Sequence, residues 1–385
     1  MNTTTRDLRL DFFRGLSLLF IFVDHIPGNA FSYVTLANLV FNDAAEVFVF
    51  ISGYTAAIVF GRMALRSGTT FAVVQVLSRC WTLYVAHIFL FVLFTAQVAY
   101  TAEKFANPMF VDEMKVAAFL DEPHVAITKA LLLQFQPMFM GILPLYIVLL
   151  LGFAAVLPVI HRRGTVIITA SAILYAATLL FELNLPAYPD GHWFHNPFAW
   201  QILFVIGALC GIHAGSDRLS FLGDKRLFAA AAIFLTVSIV TKLLLTLDNF
   251  VDIVPAVVVE GIWLFLDKTS LGPLRLLNFL ALAAVVVRFV PPDSPVVNAT
   301  ASRAIVRCGQ HSLYIFCLGI LLSYLGHFIL TEIDHSLVLQ FTVSAGGVLV
   351  MFAAAAFLSW ARAQGRATAA AHASPETKIA RQGGE

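Results

Sequence analysis

Arg14, Asp24 and His25 stand in the first apolar segment of the chain, LRLDFFRGLSLLFIFVDHIPG. Arg14 precedes His25 by eleven positions, about three helical turns, so the two share a face and lie roughly 16 Å apart along the axis. Ionisable groups inside a membrane helix are costly and mark function. A guanidinium suits phosphate or carboxylate. An imidazole titrates near neutral pH and suits proton transfer. A cation near one membrane surface and a base deep on the same face point to chemistry across a bilayer. Adjacent residues on a helix do not face each other, so the acid that partners His25 is expected elsewhere and Asp24 is expected to make a separate contact. The plainer alternative is that Asp24 and His25 are buried polar groups that pack helices together, and that Arg14 pairs with Asp11 at the interface.

Further polar groups fall at matching depths. In DAAEVFVFISGY, Asp43 and Glu46 are three apart, at the level where the first helix ends at His25 and Pro27. Two acids and a histidine at one depth point to a reacting cluster, although Asp43 equally reads as a helix N-cap. Arg79, opening RCWTLY, is either a topology anchor or a second contact for an anion. The segment 183–197 (AYPDGHWFHNP at its end) and the following Trp200 and Gln201 crowd aromatic, amide and imidazole groups at a membrane surface. They read as an interfacial aromatic belt or as a wall for a polar acceptor such as a sugar, with Trp193, Trp200 and Gln201 its binding residues. No carboxylate or cysteine pattern completes a metal site around His192 and His195. His311, Ser312 and Tyr314 lie near the opposite surface.

The elements that must hold these groups are membrane helices. The chain is 59% hydrophobic and 12% charged, with a mean hydropathy of +0.85; a soluble domain carries about 25% charged residues. Apolar runs recur at 8–26, 45–61, 80–100, 139–160, 165–182, 198–213, 227–247, 273–290, 311–330 and 337–359. The expectation is an all-α, polytopic membrane helical bundle of about ten transmembrane helices. The stretch 251–267 carries Pro255 and Glu260 and reads as re-entrant or interfacial. Most of the 24 Lys and Arg residues then fall on the side of the N-terminus, which places both termini in the cytoplasm by the positive-inside rule. The first apolar run follows Arg6, Asp7 and Arg9 without a small-residue cleavage site, so it is expected to remain as a helix. Residues 1–360 are expected to form one transmembrane domain and 361–385 a polar, basic, disordered cytoplasmic tail. Cys80, Cys210, Cys308 and Cys317 show no ligand spacing and read as small apolar side chains. There is no internal repeat and no glycine-rich phosphate loop.

Arg14 with His25, VFVFISGY (47–54), RCWTLY (79–84) and GQHSLYIF (309–316) together resemble the landmarks of the membrane-bound acyltransferase-3 family. DAAEVFVFISGY, ILPLYIVLL (142–150), NPFAWQILFVIGA (196–208) and LGPLRLLNFLALA (271–283) are similar to its OpgC branch, over about residues 6–360. One departure is Gly141, where an acid would be expected. The resemblance implies a bacterial inner-membrane, multi-pass O-acyltransferase. It would move an acyl group, succinyl above all, from cytoplasmic acyl-CoA to a hydroxyl of a periplasmic glucan or another glycan. Arg14 would contact the acyl-CoA and His25 would be the catalytic histidine. Position adds Asp24, Asp43 and Glu46 to the catalytic group and Arg79 to the donor contacts. No bound cofactor and no nucleic-acid partner are expected; acyl-CoA, the glycan and the bilayer are. The rival from another class is a proton-coupled transporter or flippase of a glycan or small anion, with His25, Asp24 and Glu46 as a proton relay. A third reading is a scaffold without activity.

Overall fold

The structure, a computed structural model, describes residues 7–245 and 256–382. Helix α1 (Leu8–Asp24) begins at Asp7, whose side chain accepts from the Arg9 backbone N–H, and ends at His25, whose N–H closes on Ile21 O at 3.0 Å. Helix α2 (Ala44–Ala56) is opened by a reciprocal cap: Asp43 accepts from the Ala45 N–H, and Glu46 Oε2 accepts from the Asp43 N–H at 2.9 Å. The chain continues through one π-helical turn (Ala57–Gly61) into α3 (Arg62–Ser67). Gly68, at φ +92°, separates α3 from α4 (Thr69–Lys104). The remaining long elements are α5 (Ile142–Val156), α6 (Gly164–Phe181), α7 (Pro197–Ile212), α8 (Lys225–Leu245), α9 (Ala256–Phe265), α10 (Pro273–Phe289), α11 (Arg303–Gln310), α12 (Ser312–Glu332) and α13 (Leu337–Gln382).

Each of the ten expected helices has a counterpart, and the described residues contain no strand, only isolated bridges such as Phe135 with Tyr188. Among the described residues, six helices are long and apolar enough to cross a membrane, or seven if α7 and the short helix Asp217–Gly223, bent by 111°, count as one. The others are short: α1 and α10 have 17 residues, α7 has 16 and α5 has 15, against about 20 for a full crossing. The fold explains how short helices persist. α5 and α7 bury most of their length at the centre, while α6, α8 and α13 expose large apolar side chains such as Ile173, Leu180, Ile233, Leu243 and Leu349. An outer surface of that kind is suited to lipid.

Three boundaries differ from expectation. α4 starts at Thr69, because TTFAVVQVLS carries helix-compatible residues up to the break at Gly68, so Arg79 lies well inside the helix and does not open it. The segment 101–138 contains three short helices, Met109–Glu113, Ala117–Asp121 and Pro123–Leu131. α13 carries helical backbone to Gln382, over the segment expected to be an irregular tail; the alanines at 367–373 favour a helix. Of the stretch 251–267, residues 251–255 lie outside the described residues, and the rest includes α9, ten residues long.

The central contacts depend on glycine. Gly15 of α1 lies against the Ile305 carbonyl, and Gly309 of α11 against that of Asp11; a Cβ at either would collide with backbone. Gly53 of α2 meets the Phe204 carbonyl of α7, and Gly207 and Gly211 meet those of Phe50 and Tyr54. Small residues of this kind let membrane helices approach backbone to backbone. The four cysteines are unpaired, with Cys80 and Cys308 buried. Gly53→Ala should lower the unfolding temperature in detergent, because overpacking costs about 1–3 kcal/mol. Gly152→Ala, where the added methyl meets nothing within 4 Å, should leave it unchanged or raise it, by up to about 1 kcal/mol of helix propensity.

Candidate active site

Polar groups gather at two levels along α1. At the Arg14 end lies a cavity of about 200 Å³. Arg14 and Arg79 both line it, so two cations from α1 and α4 face one space. Arg14 donates to Thr55 Oγ1 at 2.8 Å and to Ile51 O at 3.4 Å. Every sequence landmark reaches this wall: VFVFISGY through Phe48 and Ser52, RCWTLY through Arg79 and Leu83, and GQHSLYIF through Ser312 and Phe316. Tyr146 of α5 closes one side. The π-helical turn supplies Val59 and Phe60; such insertions in α-helices recur at functional sites.

The second level is the His25 end. The His25 ring stacks on Phe139, with centroids 4.2 Å apart and planes 22° from parallel. Phe139 sits at φ +70°, a left-handed conformation uncommon for a side chain of this size; outliers of this kind cluster at functional sites. His25 Nδ1 is buried and has no hydrogen-bond partner. Asp24 is not that partner, because its Oδ1 accepts from Thr35 Oγ1 at 2.6 Å.

Asp43 and Glu46 do share a face and a level, and they meet two cations the sequence did not point to. Arg275 donates through Nε to Glu46 and through a terminal nitrogen to Asp43 at 3.2 Å, and Lys268 pairs with Asp43. Two acids and two bases thus neutralise one another, with Glu46 fully buried and Arg275 nearly so. Asp43 and Lys268 lie within electrostatic reach of His25. Trp200 is fully buried and spends its indole N–H on the Lys268 and Thr269 carbonyls, both at 3.1 Å. It therefore holds the segment carrying Lys268. Gln201 is engaged by α6, accepting from Ser171 Oγ at 2.6 Å and donating to Ser171 O at 2.9 Å. Trp193 is buried in the loop before α7, where Asn184 donates to its carbonyl at 2.9 Å.

The structure thus joins Arg14 with Arg79, and Asp43 with Glu46. It sets Asp24 and Gln201 in separate contacts. Lys268 and Arg275 are the residues that sequence reasoning did not place at a site. Lys268 and Arg275 had one visible signal, as basic residues flanking an apolar helix near LGPLRLLNF, but their partners lie more than 200 residues away in the chain.

A multi-pass helical membrane protein with a cation-lined cavity on one side of a stacked histidine defines the class. The OpgC protein family matches residues 6–363, nearly the whole chain, and the chain belongs to that family. Membership points to a glucan-modifying membrane acyltransferase. No curated protein and no solved structure matches the chain.

Removing one member of a buried ion pair costs about 3–5 kcal/mol, because its partner is left charged and unpaired. Arg275→Ala should therefore lower thermal stability sharply. Lys268→Ala should cost about 1 kcal/mol or less, since Lys268 is about a third exposed and Asp43 keeps Arg275.

Proposed function

We propose that this protein is an O-acyltransferase of the bacterial inner membrane that moves a succinyl group from cytoplasmic succinyl-CoA to a hydroxyl of a periplasmic glucan. The observation that carries the reading is the cavity lined by Arg14 and Arg79, set on the α1 face that leads to His25. Guanidinium groups suit the phosphates of coenzyme A. The cavity, at about 200 Å³, is below the roughly 300–1,000 Å³ of sites that enclose a whole small ligand. It suits the arm of the donor, with the nucleotide at the membrane surface.

In this reading the thioester extends from the two arginines towards His25, and the sugar hydroxyl arrives from the opposite side. His25 removes the hydroxyl proton as the oxygen attacks the thioester carbonyl. The C–S bond breaks, the thiolate leaves, and the proton on His25 returns to sulfur, so one ester and one free CoA thiol result. The Asp43–Lys268–Arg275–Glu46 network supplies fixed charge beside the base and keeps the end of α2 in place. Asp24 acts as a support through Thr35. The termini lie in the cytoplasm, on the Arg14 side.

Purified protein in detergent, given succinyl-CoA and glucan, should release free CoA thiol and form a succinyl ester. His25→Ala should reduce the rate by at least about a hundredfold, the scale of general base catalysis. Arg14→Ala and Arg79→Ala should raise the KM for the donor. Equal release from acetyl-CoA would change the donor and keep the reaction class. No thiol release from any acyl-CoA would remove the enzyme reading and favour a transporter.

A further inference from the structure

A histidine that serves as a general base is ordinarily oriented by a third group on its far nitrogen. His25 has no such group. Its Nδ1 is buried without a hydrogen-bond partner. The acids nearby are engaged elsewhere: Asp24 accepts from Thr35 Oγ1 at 2.6 Å, and Asp43 and Glu46 face Arg275 and Lys268. The end of α1 fixes the His25 backbone, whose N–H donates to Ile21 O at 3.0 Å. That bond does not fix the ring, whose last torsion is intrinsically broad.

Phe139 is what the ring rests on. The two centroids are 4.2 Å apart and the planes 22° from parallel, so the contact is face to face. Phe139 adopts φ +70° to make it, a conformation that is costly for a bulky side chain and persists only where the surroundings impose it. Its neighbours do so. The Met138 N–H donates to Met114 O at 3.0 Å. Met140 is fully buried, with its N–H on Pro137 O at 3.2 Å. The phenyl face is thus held against His25 from both sides in the chain.

Such a stack acts in two ways. It confines the imidazole to one plane, and rates fall steeply when a reacting group is displaced by about an ångström. It also favours the ring once it has taken a proton. The face of a phenyl ring is negative, and a cation within about 6 Å of its centroid is attracted to it. Asp43 and Lys268 lie within electrostatic reach of His25, but they pair with each other and their effects oppose.

We infer that Phe139 is a positioning residue for His25: its stacked ring holds the imidazole in the plane for proton removal and supports the imidazolium that forms. It does by stacking what a carboxylate does by hydrogen bonding in other general-base sites. The inference rests on the acyltransferase reading and gives Phe139 a part in it that needs no contact with either substrate.

The test uses the full-length protein in detergent, with thiol release giving kcat and the KM for each substrate. Phe139→Leu keeps a large apolar side chain and removes the ring. It should lower kcat about tenfold, the rate equivalent of a desolvated cation–ring contact, and leave both KM values unchanged. Phe139→Tyr should restore most of the loss. In the His25→Ala background Phe139→Leu should lower the rate no further, because its effect passes through the imidazole. The stack is read separately by NMR of protein labelled with 13C at histidine. The ring current of Phe139 displaces the His25 Cε1–H resonance, which is assigned by its loss in His25→Ala, and Phe139→Leu should remove the displacement. If Phe139→Leu does not fold, Phe139→Gly, which takes φ +70° without strain, replaces it in every measurement. An unchanged kcat, a raised KM in place of a lowered kcat, or a further loss in the His25→Ala background would overturn the inference while leaving the transferase reading standing. Absence of thiol release in the wild type would sink the transferase reading. Under that outcome, a His25 resonance that moves when Phe139 is replaced would still support the positioning, and one that stays would reject it.

Discussion

The structure depends on a rule of the membrane interior: a buried charge must find a partner or be expelled. Asp43 and Glu46 stand at the head of α2, in a chain where charged residues are scarce. Arg275 at the start of α10 and Lys268 in the segment before it neutralise them. This one network fixes where α2 begins, where α10 meets it and where the 267–272 turn runs. The same turn accepts the Trp200 indole N–H, and its Thr269 carbonyl accepts from the Asn196 N–H. The start of α7 and the loop bearing His195 are thereby tied to the same charges.

Glycine contacts do for the Arg14 end what the ion network does for the His25 end. Backbone approach at Gly15 and Gly309 places α11, and with it Ser312 at the start of α12, against α1. Backbone approach at Gly53, Gly207 and Gly211 locks α2 to α7. α1 is held between these contacts and carries one polar group to each level, Arg14 to the cavity and His25 to the stack on Phe139. The Arg14 cavity and the His25 stack, proposed here as the donor and proton-transfer sites, are thus set about three helical turns apart by one rigid element.

Much of this was legible in sequence where the signal is local. Apolar runs located the helices, and the spacing of Arg14 and His25 placed both on one face. The four motifs did converge, since each contributes a side chain to the Arg14 cavity. Asp43 is the N-cap its position allowed, and it also pairs with Lys268 and Arg275, cations that no local signal tied to it. What was not legible depends on contacts between distant segments. Arg275 and Glu46 are 229 residues apart in the chain, and no periodicity links them. Gln201 looked like an acceptor contact, yet it bonds Ser171 of the neighbouring helix. Trp200 looked like a sugar platform, but it is wholly buried. His195 was read as one of the imidazoles in a segment that could wall a sugar acceptor, but the burial of both its ring nitrogens without a partner depends on packing that no spacing announces. The length of α4 was missed for a simpler reason: polar threonine and glutamine near its start mask a helix that continues to Gly68.

The central claim is that this protein acylates a glucan with His25 as the base that takes the hydroxyl proton. The most direct measurement is the mass and charge of periplasmic glucans from cells lacking this gene, complemented with the wild type or with His25→Ala. The account predicts anionic, succinyl-bearing glucans in the wild-type complement and unmodified glucans with His25→Ala at equal protein level. Succinylated glucans restored by His25→Ala, or glucans identical in all strains, would contradict it.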